Sequence, residues 1–412
     1  MPEKLVSLLG VFVMIGCAWA LSLDRKRFPI RIVAWGLGLQ LAFALLILKT
    51  NFGIQFFEFA QNSVTRLNEF ALEGAKMVFG TIADQTFLEA QWGPGKAFIL
   101  AISITATIIL VSSLSSLFYH WGILQRVVQL MARVMQRTMG TSGSESLAAA
   151  ANIFVGQTEA PLVIKPYLKT MTQSELLALM IPGMASIAGG VLAVYVALGA
   201  SSGHLVTASV MSAPAALLIA KIMLPESQQS ETAGTVPIDK ERTTVNSIDA
   251  LCRGATDGLF LSLNVLAMLI AFVAIVALAN YLFSKFFSLF GVSLTLQQLL
   301  GYLNAPFAWL MGISWKDCPL VGEMLGERIV LNEFVGYLHL TQAKAQLDER
   351  SFTLATYALC GFANFGSIAI QIGGIGALAP ERRADLARLG LRAMIGGLLA
   401  TYLTACIVGI LI

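Results

Sequence analysis

A chain in which one run of about 20 apolar residues follows another has few folds open to it, because that is the length of helix that crosses a bilayer core. Inside such a core every backbone polar group must be satisfied within its own helix or within a closed barrel. Residues 4–23, 30–49, 96–119, 174–199, 203–224, 255–287, 352–378 and 385–411 form eight runs of this kind. Only 12% of the 412 residues are charged, against roughly 25% in soluble domains, so most of the surface is not made to face water. These runs predict an all-α polytopic membrane protein with eight transmembrane helices.

Two further segments, 143–170 and 298–345, are apolar in part but interrupted by polar residues, Gly and Pro. Backbone of that kind is tolerated at membrane depth only where protein or a cavity surrounds it. The basic residues decide how these segments thread. Arg25, Lys26, Arg27 and Arg31 lie between the first two runs, and Arg126, Arg133 and Arg137 follow the third. Lys240 and Arg242 lie in the 225–250 stretch, and Arg382, Arg383, Arg388 and Arg392 surround the start of the last run. If both broken segments enter and leave on one side, all four clusters share a face. The positive-inside rule makes that face cytoplasmic, with both termini periplasmic. Two re-entrant hairpins are therefore expected.

Leu5–Leu23, with Ala18-Trp19-Ala20, imitates a secretory leader, but Asp24-Arg25-Lys26-Arg27 follows at once. A basic cluster there resists translocation, so a retained first helix is expected. Residues 53–80 place apolar side chains at helical spacing among Glu58, Arg66, Glu69 and Lys76, the pattern of an interfacial amphipathic helix. The organisation expected is N-terminal scaffold helices with that interfacial helix (1–142), the first hairpin with a broken helix and the following span (143–224), a flexible cytoplasmic linker (225–250), and a second half with a scaffold helix, the second hairpin, a broken helix and the last span (251–412).

The chemistry concentrates where the apolar pattern fails. Asn152, Gln157, Thr158 and Glu159 stand within eight residues of one another between apolar flanks, followed by Pro161, which suits the start of a helix after a hairpin tip. A carboxylate at the bilayer centre costs at least about 2.5 kcal/mol on insertion scales, which favours a binding role over a surface loop. Asn332 and Glu333 repeat the amide–carboxylate pair in the second half, where a structural pairing of Glu333 with Arg328 is the alternative. Glu323 and Glu327 have the spacing of a solvated helical face and carry no site role. Met184–Val191 and Phe362–Ser367 interrupt the fourth and seventh runs with Gly, Ser and Asn. Paired interruptions in two halves point to a transporter binding site near the bilayer midplane.

The strings Gly156-Gln157-Thr158-Glu159-Ala160, Asn332-Glu333-Phe334-Val335 and Gly361-Phe362-Ala363-Asn364 closely resemble those of the concentrative nucleoside transporters. The likeness extends to Ser212-Ala213-Pro214, Leu224-Pro225-Glu226 and Leu378-Ala379-Pro380-Glu381-Arg382-Arg383. It implies an elevator-type homotrimer importing nucleosides such as uridine, in which a transport domain moves against a fixed scaffold. By that resemblance Gln157, Thr158, Glu159 and Val191 face the nucleobase, Leu261 and Phe362 add apolar contacts, and Glu333, Asn364 and Ser367 hold the ribose hydroxyls. The sodium-coupled branch implies Asn152 and Ser186 side chains with Val155 and Ile187 carbonyls as the ion's ligands; proton coupling is the alternative. Arg328 departs from the family's usual Lys, Gly336 from its Ala, and Ala106 from a Pro before Thr.

Other functions fit less well. A nucleobase transporter leaves Glu333, Asn364 and Ser367 without sugar hydroxyls to bind. An embedded enzyme would use Glu159 and Glu333 as acid and base, yet no Ser/His pair or metal-ligand cluster accompanies them. A passive channel would not need paired broken helices. The net charge of +3 without a basic tail gives no sign of nucleic acid, and Cys17, Cys252, Cys318, Cys360 and Cys406 are scattered as packing residues are. No organic cofactor is implied.

Overall fold

The computed structural model describes residues 2–92, 99–233, 244–288 and 295–412. These residues hold seventeen α-helices and no strand: α1 (Glu3–Ala20), α2 (Ile30–Lys49), α3 (Asn51–Phe79), α4 (Gln85–Trp92), α5 (Leu100–His120), α6 (Ile123–Met139), α7 (Gly143–Ala151), α8 (Gln173–Ala185), α9 (Gly189–Ala197), α10 (Ser202–Met223), α11 (Ser247–Ser288), α12 (Leu296–Leu310), α13 (Cys318–Val330), α14 (Glu333–Gln342), α15 (Glu349–Leu359), α16 (Phe365–Leu378) and α17 (Arg383–Leu411).

Six stretches among the described residues are long and apolar enough to span a membrane, and they fall into two classes. Gln173–Ala197, Ser202–Met223 and Pro380–Leu411 are 83–89% buried inside the protein, whereas Glu3–Ala20, Ile30–Lys49 and Ala101–His120 are 22–33% buried. Helices apolar all round with protein on every side form a core, so α8, α9, α10 and α17 are the body on which the site is built. The expected run 255–287 falls inside the 42-residue α11, and 352–378 is split into α15 and α16. Gly254 and Gly258 of α11 press on α5, where a Cβ would come within 2.6 Å of the Ser112 carbonyl and 2.9 Å of the Ile109 Cα. Small residues four apart allow this close helix approach. The expected interfacial helix is α3.

The first hairpin consists of α7, a turn over 152–159, and a 3-10 helix Ala160–Tyr167 that opens with Pro161 near its start. The second is shorter than the segment 298–345 that predicts it. Its arms are α13 and α14, meeting at Leu331–Asn332, and α12 is a separate helix laid along α13. Each hairpin is followed by a broken helix, α8/α9 and α15/α16.

The base of the first half is closed by a polar staple. Ser142 and Glu145 form a reciprocal capping box on α7, and Thr172 and Glu175 form another on α8. These satisfy the N–H groups that begin a helix without a partner. Lys221, at the end of α10, is ion-paired with the buried Glu145 and lies 3.3 Å from Glu226, and it donates to Ser174 Oγ at 2.8 Å. The linker is less free than its composition predicts. Ser230 donates to Glu175 at 2.6 Å, and the Gly143 N–H donates to the Thr232 carbonyl at 2.9 Å. Lys240 and Arg242 lie outside the described residues. Removing one member of a buried pair strands the other charge, a cost of about 3–5 kcal/mol. Lys221→Met is therefore expected to lower the unfolding temperature of the detergent-purified protein markedly, and Lys221→Met with Glu145→Gln to restore most of the loss.

Candidate functional site

Both broken helices come apart at the same place. The segment Ser186–Ala188 separates α8 from α9, Cys360–Asn364 separates α15 from α16, and the Phe362 N–H donates to the Ser186 carbonyl at 3.3 Å. Two helix C-termini and two N-termini thus meet inside the protein. Helix ends carry partial charge, negative at the C-terminus and positive at the N-terminus, so the site has a sign at each corner.

The positive corner holds a carboxylate. Glu333 is the first residue of α14, capped by Asn332, whose side chain accepts from the Val335 N–H at 3.0 Å. Its oxygens accept from Tyr195 Oη at 3.0 Å and from Asn364 Nδ2 at 3.0 Å. Asn364 is in turn the N-cap of α16, accepting from the Ser367 N–H at 2.8 Å. Ser367 Oγ accepts from Gln157 Nε2 at 3.1 Å, and Gln157 Oε1 accepts from Gln371 Nε2 at 3.1 Å. One continuous polar chain therefore runs from Tyr195 on α9 to the tip of the first hairpin.

The negative corner lies where α7 and α8 end. Asn152 follows the last turn of α7, and Ser186 follows that of α8. Asn152 Nδ2 donates back to the Ala148 carbonyl at 3.0 Å, while its Oδ1 is buried without a hydrogen-bond partner. Ser186 Oγ donates to the Pro182 carbonyl at 2.8 Å. Among the described residues, no hydrogen bond reaches the carbonyls of Val155 or Ile187. Three oxygens without donors beside two helix C-termini suit a hard monovalent cation.

The remaining expected residues sort by position. Thr158 and Glu159 are exposed at the hairpin tip, where a Cβ on Gly374 of α16 would lie 3.6 Å from Thr158 Cγ2. Val191 is buried in the first turn of α9, and Phe362 is half-buried in the second break. Leu261, on α11, the helix that packs on α5, is partly buried against the hydrophobic core and makes no part of the polar chain.

Two readings of the sequence change, and two residues are added to the site. Arg328 is fully buried, but none of its hydrogen bonds goes to Glu333: it donates to the Gly361 carbonyl at 3.0 Å, to the Ala358 carbonyl, and to Thr401 Oγ1 at 2.9 Å. Glu327 is not solvated, because the hairpin folds His339 back onto it at 2.9 Å. Tyr195 and Gln371 belong to the polar chain although nothing in their sequence neighbourhood distinguishes them.

Interrupted helices crossing at a buried polar cluster, with a hairpin from each half, define a secondary transporter. Family models described as "Na+ dependent nucleoside transporter" match residues 9–82 (N-terminus) and 204–409 (C-terminus), and one described as "Nucleoside recognition" matches 101–202. This chain belongs to the sodium-dependent, concentrative nucleoside transporter family, a family of multi-pass membrane proteins whose coupling ion is sodium. It is 39% identical to the nucleoside permease NupC of Helicobacter pylori, over all of this chain and 98% of the relative. It is 44% identical to an uncharacterized transporter of Haemophilus influenzae over 99% and 98% of the two chains. Identity to the sodium/nucleoside cotransporter 2 of Rattus norvegicus is 37%, covering all of this chain and 63% of that one. Among solved structures, CNTnw in an inward-facing substrate-bound state is similar with a TM-score of 0.92 and 38% identity, covering 99% of this chain and 97% of CNTnw. A CNTnw variant in an outward-facing state gives 0.94 over 99% and 98%.

Tyr195 stacks on Tyr337 with ring centroids 4.2 Å apart, so its phenyl ring is held independently of its hydroxyl. Tyr195→Phe removes only the donor to Glu333. A hydrogen bond to a charged group contributes about 1.5–3 kcal/mol, and unfolding of the purified variant is expected to show a loss of that order.

Proposed function

We propose that this protein is a sodium–nucleoside symporter that imports nucleosides such as uridine across a bacterial inner membrane. The observation that carries the reading is the polar chain from Tyr195 to Gln157, drawn from both halves, whose members keep unused capacity. An ionised carboxylate offers about four acceptor sites and an amide two donors and two lone pairs. Glu333 uses two of its sites, and the Gln157 amide uses one donor and one lone pair.

In this reading Glu333, Asn364 and Ser367 bind the ribose, and the carboxylate makes charge-assisted bonds to its hydroxyls. Gln157, Thr158 and Glu159 read the edge of the base, with Val191, Phe362 and Leu261 as apolar walls. Asn152 Oδ1, Ser186 Oγ and the carbonyls of Val155 and Ile187 hold sodium, which neutralises the partial charge of the α7 and α8 C-termini. Ion and nucleoside together hold the hairpins closed, and the core of α8–α10 and α17 then moves as an elevator against the scaffold. The exposed apolar side chains of α11, including Phe260, Ile270 and Leu278, fit a homotrimer contact. The four basic clusters put both termini in the periplasm.

Uridine uptake into proteoliposomes tests the reading. Accumulation is expected under an inward sodium gradient and not under potassium or a proton gradient alone. Asn152→Ala should raise the sodium concentration for half-maximal uptake. Glu333→Gln should raise the KM for uridine about 10-fold or more, since a site made for hydroxyls loses its strongest acceptor. Proton-driven uptake would refute the sodium site, and competition by uracil equal to that by uridine would refute the ribose site.

A further inference from the structure

Gln371 has no assigned role, yet it stands where the two proposed sites touch. It lies in the middle of α16 and is almost completely buried, at 1% exposure. Its Nε2 donates twice, to Gln157 Oε1 at 3.1 Å and to the Met180 carbonyl of α8 at 3.0 Å. Both amide hydrogens are thereby committed, one to the hairpin tip and one to the helix whose C-terminus carries Ser186.

The three side chains share one glycine. A Cβ on Gly183 would come 2.7 Å from Gln371 Nε2, 3.0 Å from Gln157 Cβ and 3.5 Å from Asn152 Oδ1. The ion-facing oxygen of Asn152 and the two amides therefore pack around the same bare turn of α8. Gln371 Oε1, like Asn152 Oδ1, is buried without a hydrogen-bond partner. Polar atoms left so are uncommon in native interiors, and here two lie in one cluster.

We propose that Gln371 is the positioning residue that links sodium binding to nucleoside binding, by holding the Gln157 amide in register with the α8 turn beside Asn152. The inference rests on the site assignments above and deepens them. An ion drawing Asn152 and the end of α8 together moves the Met180–Gly183 turn, and Gln371 passes that movement to Gln157. Without it the two sites remain but answer to the ion separately. Coupling between sites is reciprocal, so the link acts equally from nucleoside to ion.

The test uses purified protein and two binding measurements. Uridine affinity is titrated in sodium and in choline, and sodium-induced thermal stabilisation is measured without nucleoside. In the unaltered protein sodium is expected to tighten the uridine Kd by about 5-fold or more, the lower end of usual coupling. Gln371→Met keeps the side-chain length and removes both donors. It should retain the stabilisation by sodium alone while the effect of sodium on the uridine Kd falls below about 2-fold. Gln371→Leu also removes both donors at similar volume; it should behave alike and serves where the Met variant does not fold. A sodium effect on the Kd that survives in these variants overturns the proposal, even where their stability drops, and makes Gln371 a packing residue. Loss of stabilisation by sodium alone also overturns it, since Gln371 would then be a ligand. Absence of any sodium effect in the unaltered protein overturns the site assignments themselves and the link with them.

Discussion

A helix that breaks within a membrane leaves backbone groups that no water satisfies, and the structure is arranged around meeting that demand twice. Each break exposes carbonyls on one side and N–H groups on the other. The Phe362-to-Ser186 bond lets the two breaks serve one another, and Asn364 caps α16 with its own side chain. What remains open is the set of oxygens at the ends of α7 and α8 and the spare capacity around Glu333. Binding chemistry thus arises where secondary structure could not be completed.

The two ends of the first half show contrasting uses of buried charge. At the base, Lys221, Glu145, Glu175 and Glu226 saturate one another and the helix starts, and the linker residues Ser230 and Thr232 close over them. Such a cluster fixes geometry. At the hairpin tips the polar groups are connected but not saturated, which lets them exchange partners with a ligand. Anchorage at one end and adaptability at the other are what a hairpin gate needs.

The apolar runs were legible in the sequence because span length is set by the bilayer, and the hairpins because only one threading unites the basic clusters. The short polar strings gave the tips for a similar reason, since amides and carboxylates among apolar residues have few harmless explanations. Tyr195 and Gln371 were hidden: a single polar residue in an apolar helix reads as a packing residue until the partner, far off in sequence, is known. Spacing along α13 says nothing of α14 folding back on Glu327, and α12 does not separate from the hairpin in sequence because both are broken by Gly and Pro.

Arg328 carries a consequence of its own. In the second half a guanidinium on α13 gathers the carbonyls at the end of α15, where the first half has only bare oxygens at the ends of α7 and α8. On the sodium assignment proposed above, one crossing contains a resident cation and the other binds the coupling ion. The carrier would then be pre-assembled on one side of its internal symmetry and conditional on the other, with the ion completing an architecture already half in place.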